Sequence, residues 1–560
     1  MQTKKKTMPV GVDNFKDLIA KNYYFVDKTR FIKELIDGHS AVTLLTRPRR
    51  FGKTLTLSML RYFFTLEKAE ENRALFAGLD IEKAGEEYMQ AQGSRPVIFL
   101  SLKEVQQATW AKELDSFGLF LSGFYQDYLF LRESAALSSM DRKYFSAVWQ
   151  RQASQTELEL AIANLCHYLY LHYGQKPLLL LDEYDAPIIA AWEHGYYSNC
   201  ILFMKRLLGA ALKTNDYLDF AVLTGVSRVS KESIFSDLNN LDVCTVLSLP
   251  YNDILGFTTA EVTQLMQDNG VQDNLAELKK WYDGYNFGGV EIYNPWSVIN
   301  FVKHGCVFGA YWLNTSGNVI LRRLLKNVDN ERREELVRLL HLETVTAKID
   351  EGVIYSDIER SPNALYMMLL TTGYLKVTKR YQDRRLKWWC ELMVPNREVL
   401  QAYEDEVLGH IAGEGRDALL EKMLKAMVEG KVIRFQELLR KILREIVSYH
   451  DTAEPESFYH GLMLGLTVLM EGEYRIESNR ESGYGRFDLA FFPINKNSPG
   501  VILELKAAPK TPEEELMKLA EKALAQIDDK EYIAEFEHQG VKEVWRYGVA
   551  FGGKKVALAM

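Results

Sequence analysis

Over the first 250 positions, apolar residues follow two alternating rhythms. Short unbroken runs, Ala41–Thr46, Val97–Leu102, Leu178–Asp182 and Phe220–Thr224, are separated by stretches in which apolar positions recur at helical spacing. A run that is apolar on both faces suits a strand covered on both sides, so the pattern predicts a parallel sheet sandwiched by helices over residues 1–250. Between 251 and 320 the rhythm breaks. WYDGYNFGG and YNPWSVINF concentrate Trp, Tyr, Gly and Asn and predict a compact, turn-rich connector or lid. Helices and then the hairpin GYLKVTKRYQDRRLKWWCELMVP predict a winged-helix-like module over 321–405. Charged helical sequence over 406–450 reads as a linker, and 451–560 reads helix, strand, strand, helix, strand.

Composition narrows this α/β picture. A chain of 560 residues exceeds one ordinary core, and 47% hydrophobic beside 26% charged residues is a globular balance, which excludes a mostly disordered chain. The longest aliphatic stretches, such as Leu178 to Leu181, fall far short of the roughly 20 apolar residues of a membrane span, so no membrane partner is expected. MQTKKKTMPVGVDNF is basic without an apolar core behind it, so no signal peptide is expected. Cys166, Cys200, Cys244, Cys306 and Cys390 lie far apart without metal spacing, as buried thiols in a reducing cytoplasm would. A net charge of −8 excludes a globally basic nucleic-acid binder.

The first chemical constellation begins where AVTLLT ends, at RPRRFGKTLTLSML. A phosphate-binding loop needs backbone amides curled around phosphates, a lysine for the terminal phosphates and a hydroxyl on Mg²⁺. Gly52, Lys53 and Thr54 fill those closing positions, with Arg50, Phe51 and Leu55 as neighbouring nucleotide contacts. Arg47 stands where the usual pattern opens with glycine, which leaves the path of the loop open. PLLLLDEYDAP adds a buried strand ending in carboxylates: Asp182 for the metal side, Glu183 as base or water-orienting residue. Asp185 reads as a turn residue. DFAVLTG ends in Thr224, placed to sense a terminal phosphate, and Arg228 follows as a charge-neutralising residue acting in cis or from a neighbouring subunit, or as a surface arginine. ATP with Mg²⁺ is the expected ligand.

On NYYFVDKTRFIKELI, RPRRFGKTLTLSML, LLLDEYDAPI, LTGVSRVSKESIFSDLNNL, WYDGYNFG and YNPWSVINF, the chain resembles the bacterial AAA-ATPase-like proteins that carry a C-terminal PD-(D/E)XK nuclease-superfamily domain. The resemblance implies a P-loop NTPase sheet, then a helical or winged-helix-like region, then a restriction-endonuclease-like α/β domain over 451–560. It also implies that Arg47 belongs to this family's version of the loop and that FVDKT, residues 25–29, lies near the adenine.

The second constellation is GRFDLAFFP followed by GVILELKAA. Residues two apart on a strand share a face, so Glu504 and Lys506 project together, and Asp488 on the preceding strand can face them. Two carboxylates and a lysine can hold Mg²⁺ or Mn²⁺, activate water and stabilise the charge of phosphodiester cleavage. These positions are similar to the superfamily's Asp, then Glu-x-Lys. Glu456 is a further metal-side candidate, and the resemblance implies a polar contribution from Gln526 on the following helix. The same pattern also fits a plain cross-strand charge pair. Residues 451–560 hold 13 Lys+Arg against 19 Asp+Glu, so this domain alone should bind DNA or RNA weakly. KRYQDRRLKWW, residues 379–389, interleaves basic and aromatic residues as a nucleic-acid contact or as a solvated hairpin tip. Two readings stay open: an ATP-controlled nuclease, and a nucleotide-dependent switch or scaffold, acting as a homo-oligomer or on a protein partner, that cuts nothing.

Overall fold

The computed structural model describes residues 5–213, 215–227, 240–312, 335–336, 338–340, 342–352, 361–403, 417–446, 459, 463, 470, 473–478, 481–482, 485–486, 488–508, 511–529 and 533–560. The chain divides into two compact units, Met1–Thr315 with Thr346–Glu398, and Ser316–Val345 with Val399–Met560.

The first unit is built on β1 (Val42–Thr46), β2 (Val97–Ser101), β3 (Leu178–Asp182), β4 (Ala221–Gly225) and β5 (Leu241–Cys244). They form one parallel sheet in the order β2-β3-β4-β1-β5. β1, β3 and β4 are buried at every residue, which is why their sequences are uninterrupted apolar runs. β5 gave no such run: it lies at the sheet's edge, and of Leu-Asp-Val-Cys only Cys244 is fully buried. Helix Lys53–Phe64 follows β1 and buries Leu57, Leu60, Phe63 and Phe64 against Leu45, Leu180 and Val222 of the sheet. Because all five strands run the same way, Thr46, Asp182 and Gly225 end at one edge.

Residues 257–303 of this unit are more ordered than a turn-rich connector. β6 (Phe257–Thr258), β7 (Tyr285–Phe287) and β8 (Val290–Tyr293) form an antiparallel sheet in the order β6-β8-β7. Helices Thr259–Asn269, Leu275–Tyr282 and Pro295–Lys303 share with it a core that includes Val262, Leu265, Leu278, Tyr282, Tyr293 and Phe301. The aromatic residues that made this stretch look like a string of turns are largely core. Farther on, β9 (Val345–Lys348), β10 (Lys376–Gln382) and β11 (Trp388–Met393) make a sheet in the order β10-β11-β9, with the expected hairpin between β10 and β11. Much of the remaining winged-helix expectation, 321–334 and 353–360, lies outside the described residues.

The second unit contains β12 (Tyr474–Ser478), a small β13–β14 pair (Glu481–Ser482 and Gly485–Arg486), β15 (Leu489–Pro493), β16 (Gly500–Ala507), β17 (Val544–Gly552) and β18 (Lys555–Ala559). The main sheet runs β12-β15-β16-β17-β18, with β16 and β17 parallel and every other neighbour antiparallel. Helix Glu513–Asp529 makes the crossover from β16 to β17. Ala490, Phe492 and Ile502 face this helix's side of the sheet, where they meet Ile527. Phe491, Val501, Leu503 and Leu505 point the other way, into a core with Leu420, Met423, Leu439 and Leu443. Those residues lie on helices Asp417–Val428 and Val432–Ile446. The described helices of 406–450, read from their charge as a linker, thus lay apolar stripes on the sheet while their charges stay on the other face.

All five cysteines are free, four of them buried and Cys306 partly exposed. Among the described residues no helix is long and apolar enough to cross a membrane.

Candidate functional site

At the edge where β1, β3 and β4 end, three segments converge. Gly52, at φ 89°, takes the left-handed conformation just before helix Lys53–Phe64, and its carbonyl accepts the first helical bond from Thr56 N. Arg50 takes the same region at φ 69° without glycine's freedom. The loop is thus bent at two nearby residues, Arg50 at a cost of about 1–3 kcal/mol. Lys53 Nζ donates to the carbonyls of Arg47 and Pro48 at 2.9 and 2.8 Å. Burial lowers the Lys53 pKa, while the carboxylates of Glu183, Asp182 and Asp185 work against that shift. Thr54 Oγ1 donates to Asp182 Oδ2 at 2.6 Å, and Thr224 Oγ1 donates to the other oxygen, Oδ1. The strand order explains this bridge: β4 lies between β1 and β3, so Thr224 is held beside an acid that would otherwise be two strands from the loop.

Glu183 follows at φ 49°, a backbone that turns its side chain off the strand's alternation. Burial raises its pKa, Lys53 opposes this, and Asp182 and Asp185 add to it. Asp185 is also bound at the exit of β4. Its Oδ2 accepts from Val226 N, Ser227 N and Ser227 Oγ at 2.9, 2.8 and 3.1 Å, so it fixes the exit of β4.

Arg47 is a structural part. It is wholly buried, takes no positive φ, and its guanidinium donates to the carbonyls of Thr46, Cys244 and Tyr251 at 2.9, 2.8 and 3.0 Å. Burial pushes its pKa down to about 10. Phe51 is buried beside the rings of Tyr285 and Phe287, at centroid distances of 4.9 and 5.3 Å, and the Arg50 guanidinium lies 4.3 Å over Trp296. The loop is therefore gripped by the 257–303 segment. Sequence reasoning missed this contact, because nothing local links residues some 240 positions apart. FVDKT is tied down as well: Lys28 Nζ donates to Asp253 O and pairs with Glu261, and Asp27 accepts from Thr29 N and Thr29 Oγ1. Leu55 is half-buried on the first turn of helix Lys53–Phe64, and Arg228 lies outside the described residues.

In the second unit, Glu504 and Lys506 point from β16 towards helix Glu513–Asp529, on the same face as Ile502. Glu504 is buried. Its Oε1 accepts from Lys506 Nζ at 3.1 Å and from Gln526 Nε2, while Oε2 has no hydrogen-bond partner among the described residues. Burial raises its pKa to about 7, the charge of Asp488 adds to the shift, and Lys506 opposes it. Asp488, just ahead of β15, is held by Leu505 N at 2.7 Å. Gln526 reaches Glu504 because Gly548, paired with Glu504 across the sheet, has no side chain. A Cβ there would lie 2.0 Å from Ala520 O of the helix. Asp488, Glu504 and Lys506 therefore come together as their spacing suggested, and Gln526, which the resemblance implied, joins them. Glu456 lies outside the described residues, and among those described no group of three His, Cys, Asp or Glu is placed to hold a metal. Two hard-oxygen donors, one with a buried oxygen left without a hydrogen-bond partner among the described residues, nevertheless fit a divalent cation.

Comparison with known proteins agrees with this division. Residues 9–235 match the family model described as Predicted AAA-ATPase, and residues 454–559 match that of the PD-(D/E)XK nuclease superfamily. A protein of Azotobacter chroococcum mcd 1, described as "Uncharacterized protein in vnfD 5'region", is 26% identical over 569 residues, covering 98% of this chain and 96% of its own length. The chain thus carries an AAA-ATPase-like domain at its N-terminus and a PD-(D/E)XK nuclease-superfamily domain at its C-terminus.

Proposed function

We propose that the chain is an ATP-hydrolysing protein whose C-terminal domain cleaves nucleic acid in a metal-dependent reaction. In the first unit, Arg50, Phe51, Gly52 and Leu55 shape the loop around the phosphates and Lys53 supplies the cation for the terminal ones. Thr54 and Asp182, 2.6 Å apart, are the oxygen donors for Mg²⁺. Glu183 orients or deprotonates the attacking water, aided by a pKa that burial has raised, and Thr224 reports the terminal phosphate through its bond to Asp182. Arg228 is proposed as the residue that neutralises transition-state charge.

In the second unit, Asp488 and Glu504, with Glu456, would hold Mg²⁺ or Mn²⁺. When bound, the cation supplies a water activated near neutral pH and a counter-charge for the phosphate. Lys506 stabilises the developing negative charge on the scissile phosphate, and Gln526 orients Glu504. The observation that carries this reading is the buried Glu504 carboxyl, whose Oε2 has no hydrogen-bond partner among the described residues by distance and angle and which feels the charge of Asp488. A solvated cross-strand charge pair has no reason to bury such an atom. The test is Mn²⁺ binding by calorimetry to the full chain. Binding at the second unit that is lost in Asp488→Ala, with ATP binding intact, is expected, and unchanged binding refutes the metal site.

A second reading, a nucleotide-dependent switch whose C-terminal domain binds a partner without cutting, is favoured by the excess of six acidic charges over 451–560. It differs in one outcome: metal binding without cleavage of any nucleic acid. The free thiols and the lack of a membrane-spanning helix among the described residues are the grounds for proposing a cytoplasmic location.

A further inference from the structure

The hairpin of β10 and β11 is left unexplained by either site. Its tip, residues 383–387, carries Arg384, Arg385 and Lys387, all exposed, and their side chains make no hydrogen bond or ion pair among the described residues. The tip's acid forms no ion pair with them, and its single negative charge offsets only one of the three. Asp383 is spent on the turn itself, its carboxylate accepting from Arg385 N, Lys387 N and Trp389 Nε1 at 2.8, 2.9 and 3.1 Å. Farther down, the basic residues are already matched: Lys379 pairs with Glu391 and Arg380 with Glu351. The positive charge is therefore concentrated at the tip.

Next to these cations the fold leaves two large rings open, one on each face of the hairpin, since Tyr381 pairs with Trp389 and Trp388 with Gln382. Tyr381 is 38% exposed and Trp388 39%. The Arg380 guanidinium lies 3.9 Å over the Trp388 ring and is itself anchored to Leu247 O, so one face of the indole is backed by a fixed group and the ring is held in place. An acidic peptide would satisfy the cations and leave the open indole without a purpose. A duplex would offer phosphates, but its base faces are already stacked on one another.

We propose that this hairpin binds single-stranded nucleic acid, with Arg384, Arg385 and Lys387 on the phosphates and Trp388 as the platform for an unstacked base. In a chain read as a nucleic-acid enzyme, a strand with open bases is then the substrate class. The C-terminal residues, with their acidic excess, leave the affinity to be supplied elsewhere, and the hairpin supplies it.

The test uses the full chain carrying Glu504→Gln, in EDTA, so that binding is measured without cleavage and fails independently of the nuclease reading. Fluorescein-labelled oligo-dT, oligo-rU and a mixed-sequence duplex are titrated at several salt concentrations, following anisotropy and tryptophan emission. Expected are tighter binding of the single strands than of the duplex and quenching of tryptophan emission. The combined Arg384→Glu, Arg385→Glu and Lys387→Glu variant should lose tenfold or more in affinity and make log K against log salt shallower by about 2. Trp388→Leu should weaken binding by about fivefold or more, abolish the quenching and keep the salt slope. Single-strand affinity unchanged in both variants, duplex preferred without quenching, or equal competition by poly-glutamate would each overturn the assignment.

Discussion

Arg47 occupies the position where a phosphate-binding loop usually has glycine, and its neighbours show why the substitution is stable. The guanidinium is a strut between the end of β1, the end of β5 and the Tyr251 turn, satisfying three carbonyls that a glycine would abandon. Restoring the commoner residue should therefore harm the protein. Arg47→Gly is expected to lower unfolding stability by roughly 2 kcal/mol or more, since hydrogen bonds from a charged donor are worth about 1.5–3 kcal/mol each, and urea denaturation of the two proteins checks it. Glu398 makes a different kind of prediction. Buried, it accepts from Trp312 N at 2.6 Å and Ser297 Oγ at 2.7 Å, yet burial still raises its pKa to about 7. A carboxyl whose folded pKa lies above its unfolded value favours the folded state at low pH and loses that contribution as pH rises through the folded value. Between about pH 4.5 and 7 the wild type should therefore lose stability relative to Glu398→Gln. Melting temperatures compared at acid and mildly alkaline pH test this, and a constant difference would show that Glu398 does not titrate in that window.

Between residues and the whole stand the elements that hold each site in register. Helix Glu513–Asp529 can approach β17 only because Gly548 has no Cβ, and that approach puts Gln526 on Glu504. Gly548→Ala should lift the helix, lower the melting temperature of the second unit and reduce metal affinity, even though residue 548 is itself no ligand. The loop after β1 depends similarly on Phe51, whose loss to alanine should cost about 3–5 kcal/mol in the first unit and weaken ATP binding with Lys53 still present. Nucleotide binding measured by fluorescence of an ATP analogue would decide that point. These elements also show where sequence suffices. β1, β3 and β4 are buried on both faces, and Glu504 and Lys506 share a strand, so an unbroken apolar run and an i, i+2 spacing state them directly. β5 is an edge strand with a charged residue and gives no run. The 257–303 segment hides its core inside turn-forming composition, and the grip of Trp296 and Tyr285 on the loop is a contact between distant positions that no periodicity encodes.

At the scale of the molecule, the two proposed chemistries fall in two compact units. The residues proposed for each site stand in motifs, Lys53-Thr54 with Asp182-Glu183, and Asp488 with Glu504-x-Lys506, because the proposed chemistries need specific groups at short spacing. Arg228 and Glu456 lie outside the described residues, so the full complement of each site is a matter for mutagenesis. If the units act as one enzyme, variants should separate their contributions. Lys53→Ala is expected to cut ATP turnover by about 100-fold or more while leaving metal binding at Asp488 and Glu504 intact. The most direct measurement is cleavage of labelled single-stranded DNA and RNA by the full chain with Mn²⁺ or Mg²⁺, with and without ATP, beside Lys506→Ala and Lys53→Ala. The account predicts metal-dependent cleavage that falls by about 100-fold or more in Lys506→Ala and that Lys53→Ala makes insensitive to ATP. Cleavage that survives Lys506→Ala, or no cleavage of any strand by a protein that binds ATP and metal normally, would contradict it.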